Sequence, residues 1–290
     1  MINKLLLVAL ILVVPVAIGA QQKDATADSL KRCSKKLISY AEQNKASSPV
    51  FLLDLLSSSK GLFYFGARHS VDPADSQFLE IEQAWNKAKP TIAFYEGPNR
   101  PIAATRDETI KQTGESGFVR FLAARDGIPI VSLEPSPQDE VNFLLKKFSP
   151  EQVTLFFVLR ETARLRERRK LAEPELRAAV TQLLERASKM KLLSGPITNL
   201  DELDAAYRRF WKNPAQWWQA PSEWFDPLKS SADTGGVFTN EVNQMSSGYR
   251  DLHMYTVLSR ATLEGKKVFA VVGRDHVAMQ ADALRCALKK

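Results

Sequence analysis

Four short, almost continuously apolar runs in this chain are each followed by a polar motif, and this pattern constrains the fold more than any other feature. The runs cover residues 62–65, 91–95, 128–133 and 268–272. Runs this apolar, and this rich in aromatic and β-branched residues, are typical of strands buried on both faces of a sheet. Helical patterns separate the first three runs. This alternation predicts an α/β fold, with helices flanking a mostly parallel or mixed central sheet.

The residues that follow these four runs are the candidate functional residues. His69 ends the motif Gly-Ala-Arg-His after the first run, and His276 ends Gly-Arg-Asp-His after the last. Glu96 follows the second run and Glu134 follows the third. Because ligands of open α/β sheets bind outside the carboxyl ends of the strands, we expect all four side chains on one rim of the sheet.

The chain has three histidines, and two of them stand in the same Gly-x-x-His setting. A single histidine at a strand end is commonly a structural residue, whereas two in repeated settings beside two glutamates favour a functional site. Histidine can act as a base, an acid or a metal ligand near neutral pH, and a carboxylate can orient it or share the metal.

A predicted helix at about 249–258 adds one more candidate, Arg250. Its guanidinium could bind a substrate carboxylate or phosphate, or stabilise a developing negative charge. The alternative is an ion pair with Asp251 or with a nearby loop. His253 shares the helix face of Arg250, and we interpret it as structural.

The order of these motifs resembles that of the TraB/PrgY/GumN family. It reads Gly-x-x-His, a strand-end glutamate, Leu-Glu-x-Ser at 133–136, Arg-Asp-x-x-Met at 250–254, and a second Gly-x-x-His. That family is similar to the Tiki metalloproteases and, more remotely, to erythromycin esterases and ChaN-like haem-binding proteins. The matching pieces, 61–155 and 245–288, cover about half of the mature chain.

The resemblance implies an EreA/ChaN-like α/β fold with an inserted helical lid. It also implies an exported hydrolase in which His69, Glu96, Arg250 and His276 are catalytic. The Tiki resemblance would make His69 and His276 ligands of one divalent metal ion, with Glu96 or Glu134 completing the site. Nitrogen and oxygen ligands of this kind suit Mn, Co, Fe or Zn. The substrate would be a small molecule or a peptide.

Two alternatives to a metal-dependent peptidase stay open. In a metal-free, esterase-like hydrolase, His69 would act as the general base and a glutamate would orient it. In a non-catalytic protein, the same cleft would bind haem, a peptide or another signal ligand. A serine hydrolase is disfavoured because no Gly-x-Ser-x-Gly motif occurs.

The first twenty residues predict a secretory signal peptide. Lys4 precedes an apolar run at 5–18, and Gly19-Ala20 supply small residues for cleavage. The run has 14 residues, fewer than the roughly 20 that a membrane-spanning helix needs. We therefore expect one exported domain over 21–290, periplasmic or secreted, with no transmembrane segment after cleavage. The alternative is that the apolar run is retained as an N-terminal anchor.

The only two cysteines, Cys33 and Cys286, fall in the predicted first and last helices of this domain. In an oxidising compartment they could form one disulfide that joins the two ends. Two buried or free thiols are the alternative, and their spacing does not indicate a metal site.

The middle of the chain, about 150–235, predicts a helical insertion. Its basic run at 164–170 could bind nucleic acid. Glutamates are interspersed in this segment, however, and the net charge of +7 is modest. A solvated helix face is therefore favoured, and no nucleic-acid partner is expected.

A tryptophan cluster follows at 211–224. These tryptophans either pack the insertion onto the sheet or, through Trp217 and Trp218, form a substrate-binding wall together with Arg68. A third possibility is docking on a membrane surface.

Overall fold

The chain folds around a single five-stranded mixed sheet. A computed structural model describes residues 26–189 and 197–289, so the predicted signal peptide lies outside the described residues. The strands are β1 (Leu52–Asp54), β2 (Gly61–Ala67), β3 (Ile92–Tyr95), β4 (Ile130–Ser132) and β5 (Lys267–Gly273). Their order is β1-β2-β5-β3-β4.

Eleven α-helices and two short 3-10 helices, Trp217–Gln219 and Ser222–Phe225, occur in the described part of the chain. The first six helices are α1 (26–34), α2 (Tyr40–Gln43), α3 (Ser76–Ala88), α4 (Arg106–Asp126), α5 (Pro137–Leu144) and α6 (Pro150–Arg169). The others are α7 (Glu173–Lys189), α8 (Leu200–Phe210), α9 (Ser231–Thr234), α10 (Thr239–Leu263) and α11 (Arg274–Ala287). Side-chain caps define several of the starts, including Asp75 before α3 and Ser149 before α6.

The four strands predicted from the sequence are neighbours and run parallel, which confirms a largely parallel α/β sheet. β5 pairs in parallel with both β2 and β3, and β3 pairs in parallel with β4. The antiparallel edge strand β1 was not predicted. Residues 268–272 of the central strand β5 are completely buried. This explains why that run is apolar at every position.

Helices cover both faces of the sheet, so alternate residues of each strand enter different cores. Leu62 and Tyr64 of β2 pack with residues of α10 and α11. Phe63 and Phe65 point the other way, towards α3 and α4. The sheet is therefore the middle of three layers.

The chain between β4 and β5 forms a helical region with its own hydrophobic core. Phe156 and Leu159 of α6 pack there with Tyr207 of α8 and with tryptophans of the 211–224 segment. Trp217 is only 1% exposed. The long helix α10 begins in this core and ends against the sheet, where Tyr255 is completely buried. α10 thus connects the two parts of the fold.

A disulfide joins Cys33 to Cys286, with 5.5 Å between their Cα atoms. It ties α1 to the last helix, α11, and settles the choice between a bridge and two thiols. Among the described residues, none of the helices combines the length and apolarity that crossing a membrane requires.

We expect the double variant Cys33→Ser/Cys286→Ser to be less stable than the wild type by roughly 2–5 kcal/mol, because the bridge closes a very long loop in the unfolded chain. Denaturant unfolding measures this difference in the free energy of unfolding. Thiol titration of the denatured, unreduced wild type should find no free thiol. Two reactive thiols would contradict the bridge.

Candidate functional site

The predicted rim exists, because the carboxyl ends of four parallel strands meet at one edge of the sheet. His69, Glu96, Glu134 and His276 follow β2, β3, β4 and β5, and α10 brings Arg250 among them. A cavity of about 380 Å³ opens at this edge. Its lining residues are Tyr40, Ala67, Arg68, His69, Glu96, Arg250, Gly273, Arg274, Asp275 and His276.

His276 lies between two carboxylates at the start of α11. Its Nδ1 is 2.8 Å from Asp251 Oδ1, and its Nε2 is 3.4 Å from Glu96 Oε1. The residue is only 4% exposed. Burial alone would lower the pKa of His276, but the hydrogen bonds and charges of Asp251 and Glu96 outweigh it and raise this pKa to about 10. The imidazole is therefore a buried cation at neutral pH, with both N–H groups directed at acids.

Arg250 bridges the two predicted glutamates. Its Nε and Nη2 donate to Glu134 at 2.9 and 2.7 Å, and Nη2 also donates to Glu96 at 3.2 Å. Burial would lower the pKa of Arg250, yet the two carboxylates more than compensate and raise it. The Nη1 group has no hydrogen-bond partner in the described part of the chain, so its N–H donors are available at the cavity wall.

Glu96 is the common partner of these two cations. Its Oε2 also accepts a hydrogen bond of 2.7 Å from the Gly273 backbone N–H. Burial would raise the pKa of Glu96, but the contacts with His276, Arg250 and Gly273 hold this pKa well below its usual range. Glu96 is therefore ionised throughout the physiological pH range, and it links β3 to β5, α10 and α11.

His69 forms a second, separate acid–imidazole pair. Its Nδ1 lies 2.6 Å from Oε1 of Glu115, a buried residue of α4. The hydrogen bond to Glu115 raises the pKa of His69, and burial opposes the shift. The side chain is 70% exposed, so the ring is held at one nitrogen and is accessible at the other.

The backbone at His69 is strained, with φ +30°. Non-glycine residues rarely adopt this region, and such strain costs on the order of 1–3 kcal/mol. The surrounding structure imposes it. Strain of this kind is concentrated at functional sites, which agrees with the position of His69 on the cavity wall.

Two glycines allow the parts of the site to approach one another. Gly114 interrupts α4 with φ 60° and ψ −144°, and a Cβ there would lie 2.8 Å from the Ser70 carbonyl oxygen. A Cβ on Gly273 would lie 2.8 Å from His69 Nε2. A larger residue at 114 would push Glu115 away from His69, and one at 273 would displace the imidazole itself.

Tyr40 of the short helix α2 completes the cavity. Its ring packs edge-on against His276, with 6.2 Å between the ring centroids. Burial and the negative charge of Asp251 raise the pKa of Tyr40, so the hydroxyl stays protonated. No hydrogen-bond partner of this hydroxyl occurs among residues 26–189 and 197–289, so it can donate to a ligand.

The remaining candidates have different positions. Arg68 lines the cavity and pairs with Asp75 at 2.9 Å. Trp217 and Trp218 do not line this cavity, and they pack in the core of the helical region. His253 is also absent from the cavity wall, and burial lowers its pKa.

Sequence reasoning missed Glu115 and Tyr40. Glu115 follows Gly114, whose backbone is non-helical inside α4, and a glycine in a helical pattern was a usable signal for a kink or a close approach. Tyr40 had no comparable signal. It reaches the site because α2 docks on α11, where the Ile38 N–H donates to the Met279 carbonyl oxygen.

The acids and imidazoles that were predicted as metal ligands are paired with other side chains at this rim. In the described residues, no three His, Cys, Asp or Glu side chains are grouped so that they could hold a metal ion. The guanidinium of Arg250 lies between Glu96 and Glu134, and His276 directs both ring nitrogens at acids. A metal ligand would need a neutral imidazole with a free nitrogen.

Comparison of this chain with protein-family models, with curated proteins and with solved structures finds no match. The TraB/PrgY/GumN resemblance therefore stays a prediction that rests on the motifs.

We expect the free energy of unfolding to fall as pH rises from about 6.5 to about 10, because the folded-state pKa of His276 is raised above its usual value of 6.5. The stabilisation is complete below pH 6.5 and is lost as the pH passes through the folded-state pKa. A one-unit difference between the folded and unfolded pKa corresponds to about 1.4 kcal/mol, so the loss should reach a few kcal/mol.

Urea unfolding of wild type and His276→Gln across this pH range measures the effect, and the variant should lack the decrease. His253→Gln is the matched control. Burial lowers the pKa of His253, so this histidine affects stability only towards acid pH and its variant should keep the decrease. An identical pH dependence in His276→Gln and wild type would contradict the buried cation.

Proposed function

We propose that this protein is an exported hydrolase that activates water with the His69–Glu115 pair and needs no metal ion. The observation that carries the proposal is a carboxylate-oriented imidazole on the same cavity wall as a guanidinium with free donors. This is the arrangement that general-base catalysis with charge stabilisation requires. The predicted base is His69, and the glutamate that orients it is Glu115.

The reaction uses a carbonyl substrate, either an ester or an amide. When Nδ1 of His69 donates to Glu115, Nε2 carries a lone pair and removes a proton from water. The water oxygen then bonds to the carbonyl carbon. The C–O or C–N bond to the leaving group breaks, and the leaving group takes the proton from Nε2. The products are an acid and an alcohol or amine.

Two donors are available for the oxygen that becomes negative in this reaction. The free Nη1 of Arg250 belongs to a fully charged guanidinium, and the Tyr40 hydroxyl stays protonated because its pKa is raised. Donors held in place before the reaction stabilise the tetrahedral intermediate without reorganising. Arg250 and Tyr40 are therefore the proposed oxyanion donors.

Glu96, Glu134 and His276 act through Arg250 in this mechanism. The two glutamates fix the guanidinium from two sides, and His276 with Asp251 holds Glu96. We assign them as positioning residues. Replacing any one of them should disturb the position of Arg250 more than it affects His69, the proposed base.

The wider identity that we propose is an esterase-like protein of the TraB/GumN type with a helical lid over the cleft, acting on a small molecule or a peptide. The motif order supports this family, and the helical region, which is joined to the site by α10, supports the lid. The disulfide supports export, because such bridges persist in oxidising compartments.

Glu115→Gln should move the rising limb of the pH–rate profile to lower pH. The base works only when His69 is neutral, and Glu115 raises the pKa of His69. The wild-type rate should therefore rise with pH through a pKa above 6.5, and the variant should titrate nearer 6.5. His69→Asn should lower kcat by roughly 10²–10⁴-fold.

The measurements are initial rates on p-nitrophenyl esters and fluorogenic peptides, together with NMR titration of the imidazoles. Glu185→Gln, on the exposed surface of α7, removes the same charge away from the cavity and should leave both readouts unchanged. An unshifted profile in Glu115→Gln would refute the role of the pair. No turnover of any ester or peptide would favour the binding-protein alternative.

Metal content distinguishes the mechanism that we propose from the metal-dependent alternative. We expect wild-type protein purified without chelator to contain less than one equivalent of Mn, Fe, Co or Zn per chain, and we expect hydrolysis to survive excess chelator. Elemental analysis beside activity assays measures both. One bound metal per chain, lost together with activity in His69→Ala and in His276→Ala, would support the two-His/Glu metal site instead.

A further inference from the structure

A second cavity, of about 700 Å³, adjoins the first and shares Arg250 as a wall residue. One wall of this cavity is a face of α6. Arg160, Arg164 and Arg168 follow one another at four-residue spacing there, so all three lie on the same side of the helix. The basic run, interpreted from the sequence as a solvated surface, thus partly faces a cleft beside the candidate site.

The acids of this cavity are mostly engaged by other partners. Glu134 accepts two hydrogen bonds from Arg250, and Glu161 accepts two from Arg164 at 2.6 and 2.7 Å. Glu140 accepts from the Ser246 hydroxyl. Glu167 pairs with Arg166, which is not a wall residue. Three of the four glutamates on the wall are therefore paired with an arginine, and the fourth, Glu140, is hydrogen-bonded to a neutral hydroxyl.

Three arginines of the same cavity lack such partners. Arg160 has no carboxylate within 4 Å in the described part of the chain, and its guanidinium donates to Asn243 and lies over the Phe156 ring at 4.7 Å. Arg100 and Arg168 also have no side-chain partner among the described residues. These three arginines thus have no direct ion-pair partner in that part of the chain, although Glu140, Glu161 and Glu134 act on Arg160 at longer range. Arg160 is held by Asn243 and by packing on Phe156.

We propose that the second cavity is an anion-binding subsite, which holds a carboxylate or phosphate group of the substrate while the reacting carbonyl lies against His69 and Arg250. The inference rests on the proposed hydrolase function and names its substrate class, an ester or amide that carries an anionic group. Guanidinium groups match the planar oxygens of carboxylate and phosphate, and partial burial strengthens the attraction. The cavity volume is in the range of small-molecule sites.

Binding of small anions tests the subsite without any need for catalysis. The probes are inorganic phosphate and succinate, measured by calorimetry at low ionic strength on the full mature protein. Arg160→Gln/Arg168→Gln should weaken binding by about tenfold or more, the size expected from losing charge-assisted hydrogen bonds. The probe that binds more tightly tells whether the natural group resembles phosphate or carboxylate.

The matched control is Arg169→Gln/Arg186→Gln, which removes the same charge from exposed positions of α6 and α7 that do not line the cavity. It should bind both probes as the wild type does. Equal weakening in the two double variants would show a general charge effect and overturn the subsite, as would unchanged binding in both. The single variant Arg168→Gln, at an exposed position, provides the same test if Arg160→Gln impairs folding.

Turnover supplies the second readout. The ester of succinate that keeps one free carboxylate, p-nitrophenyl hemisuccinate, should be hydrolysed with a higher kcat/KM than p-nitrophenyl butyrate. Arg160→Gln/Arg168→Gln should remove this preference, whereas Arg169→Gln/Arg186→Gln should keep it. Equal kcat/KM for the two esters in wild type would overturn the subsite. Anion binding that persists in a protein that hydrolyses neither ester would instead refute the hydrolase function and leave the subsite standing.

Discussion

The carboxylate of Glu96, held between the imidazolium of His276 and the guanidinium of Arg250, is the interaction on which the site depends. Burying a charge costs free energy unless the charge has a partner of opposite sign, and removing one partner leaves the others uncompensated. Here the three residues come from the end of β3, from α10 and from α11, which are distant in the sequence and adjacent in space. The ion cluster therefore fixes both the rim of the sheet and the approach of the helical region to it.

The rim was predictable from the sequence because the parallel topology follows from local signals. Buried parallel strands are continuously apolar, so their ends are readable, and the residues after those ends must meet at one edge. His69, Glu96, Glu134 and His276 were found in this way. The ends of the strands do not indicate Glu115 or Tyr40, because Glu115 depends on a kink at Gly114 inside a helix and Tyr40 on docking of the N-terminal segment against α11. The strand β1 was missed because three residues carry too little pattern.

The same residue types predict either a metal site or an ion network, and spacing along the chain cannot separate the two. Two histidines and two glutamates occur at the strand ends. The carboxylates of the two glutamates need a positive charge between them, which either a divalent ion or a guanidinium can supply. In the structure α10 brings Arg250 within hydrogen-bonding distance of Glu96 and Glu134. These potential metal ligands are thus paired within a protein ion network, and His69 forms a separate pair with Glu115 beside it.

Helix α10 also explains why two cavities share one residue. Its 25 residues extend over about 37 Å at 1.5 Å per residue, from the core of the helical region to the core at the sheet. Arg250 lies near the middle, where neither core covers it fully, so its side chain is 24% exposed. An arginine at this junction contacts whatever fills either cavity. Under the function that we propose, a ligand that spans both cavities would contact Arg250 together with the sheet rim on one side and the arginine face of α6 on the other.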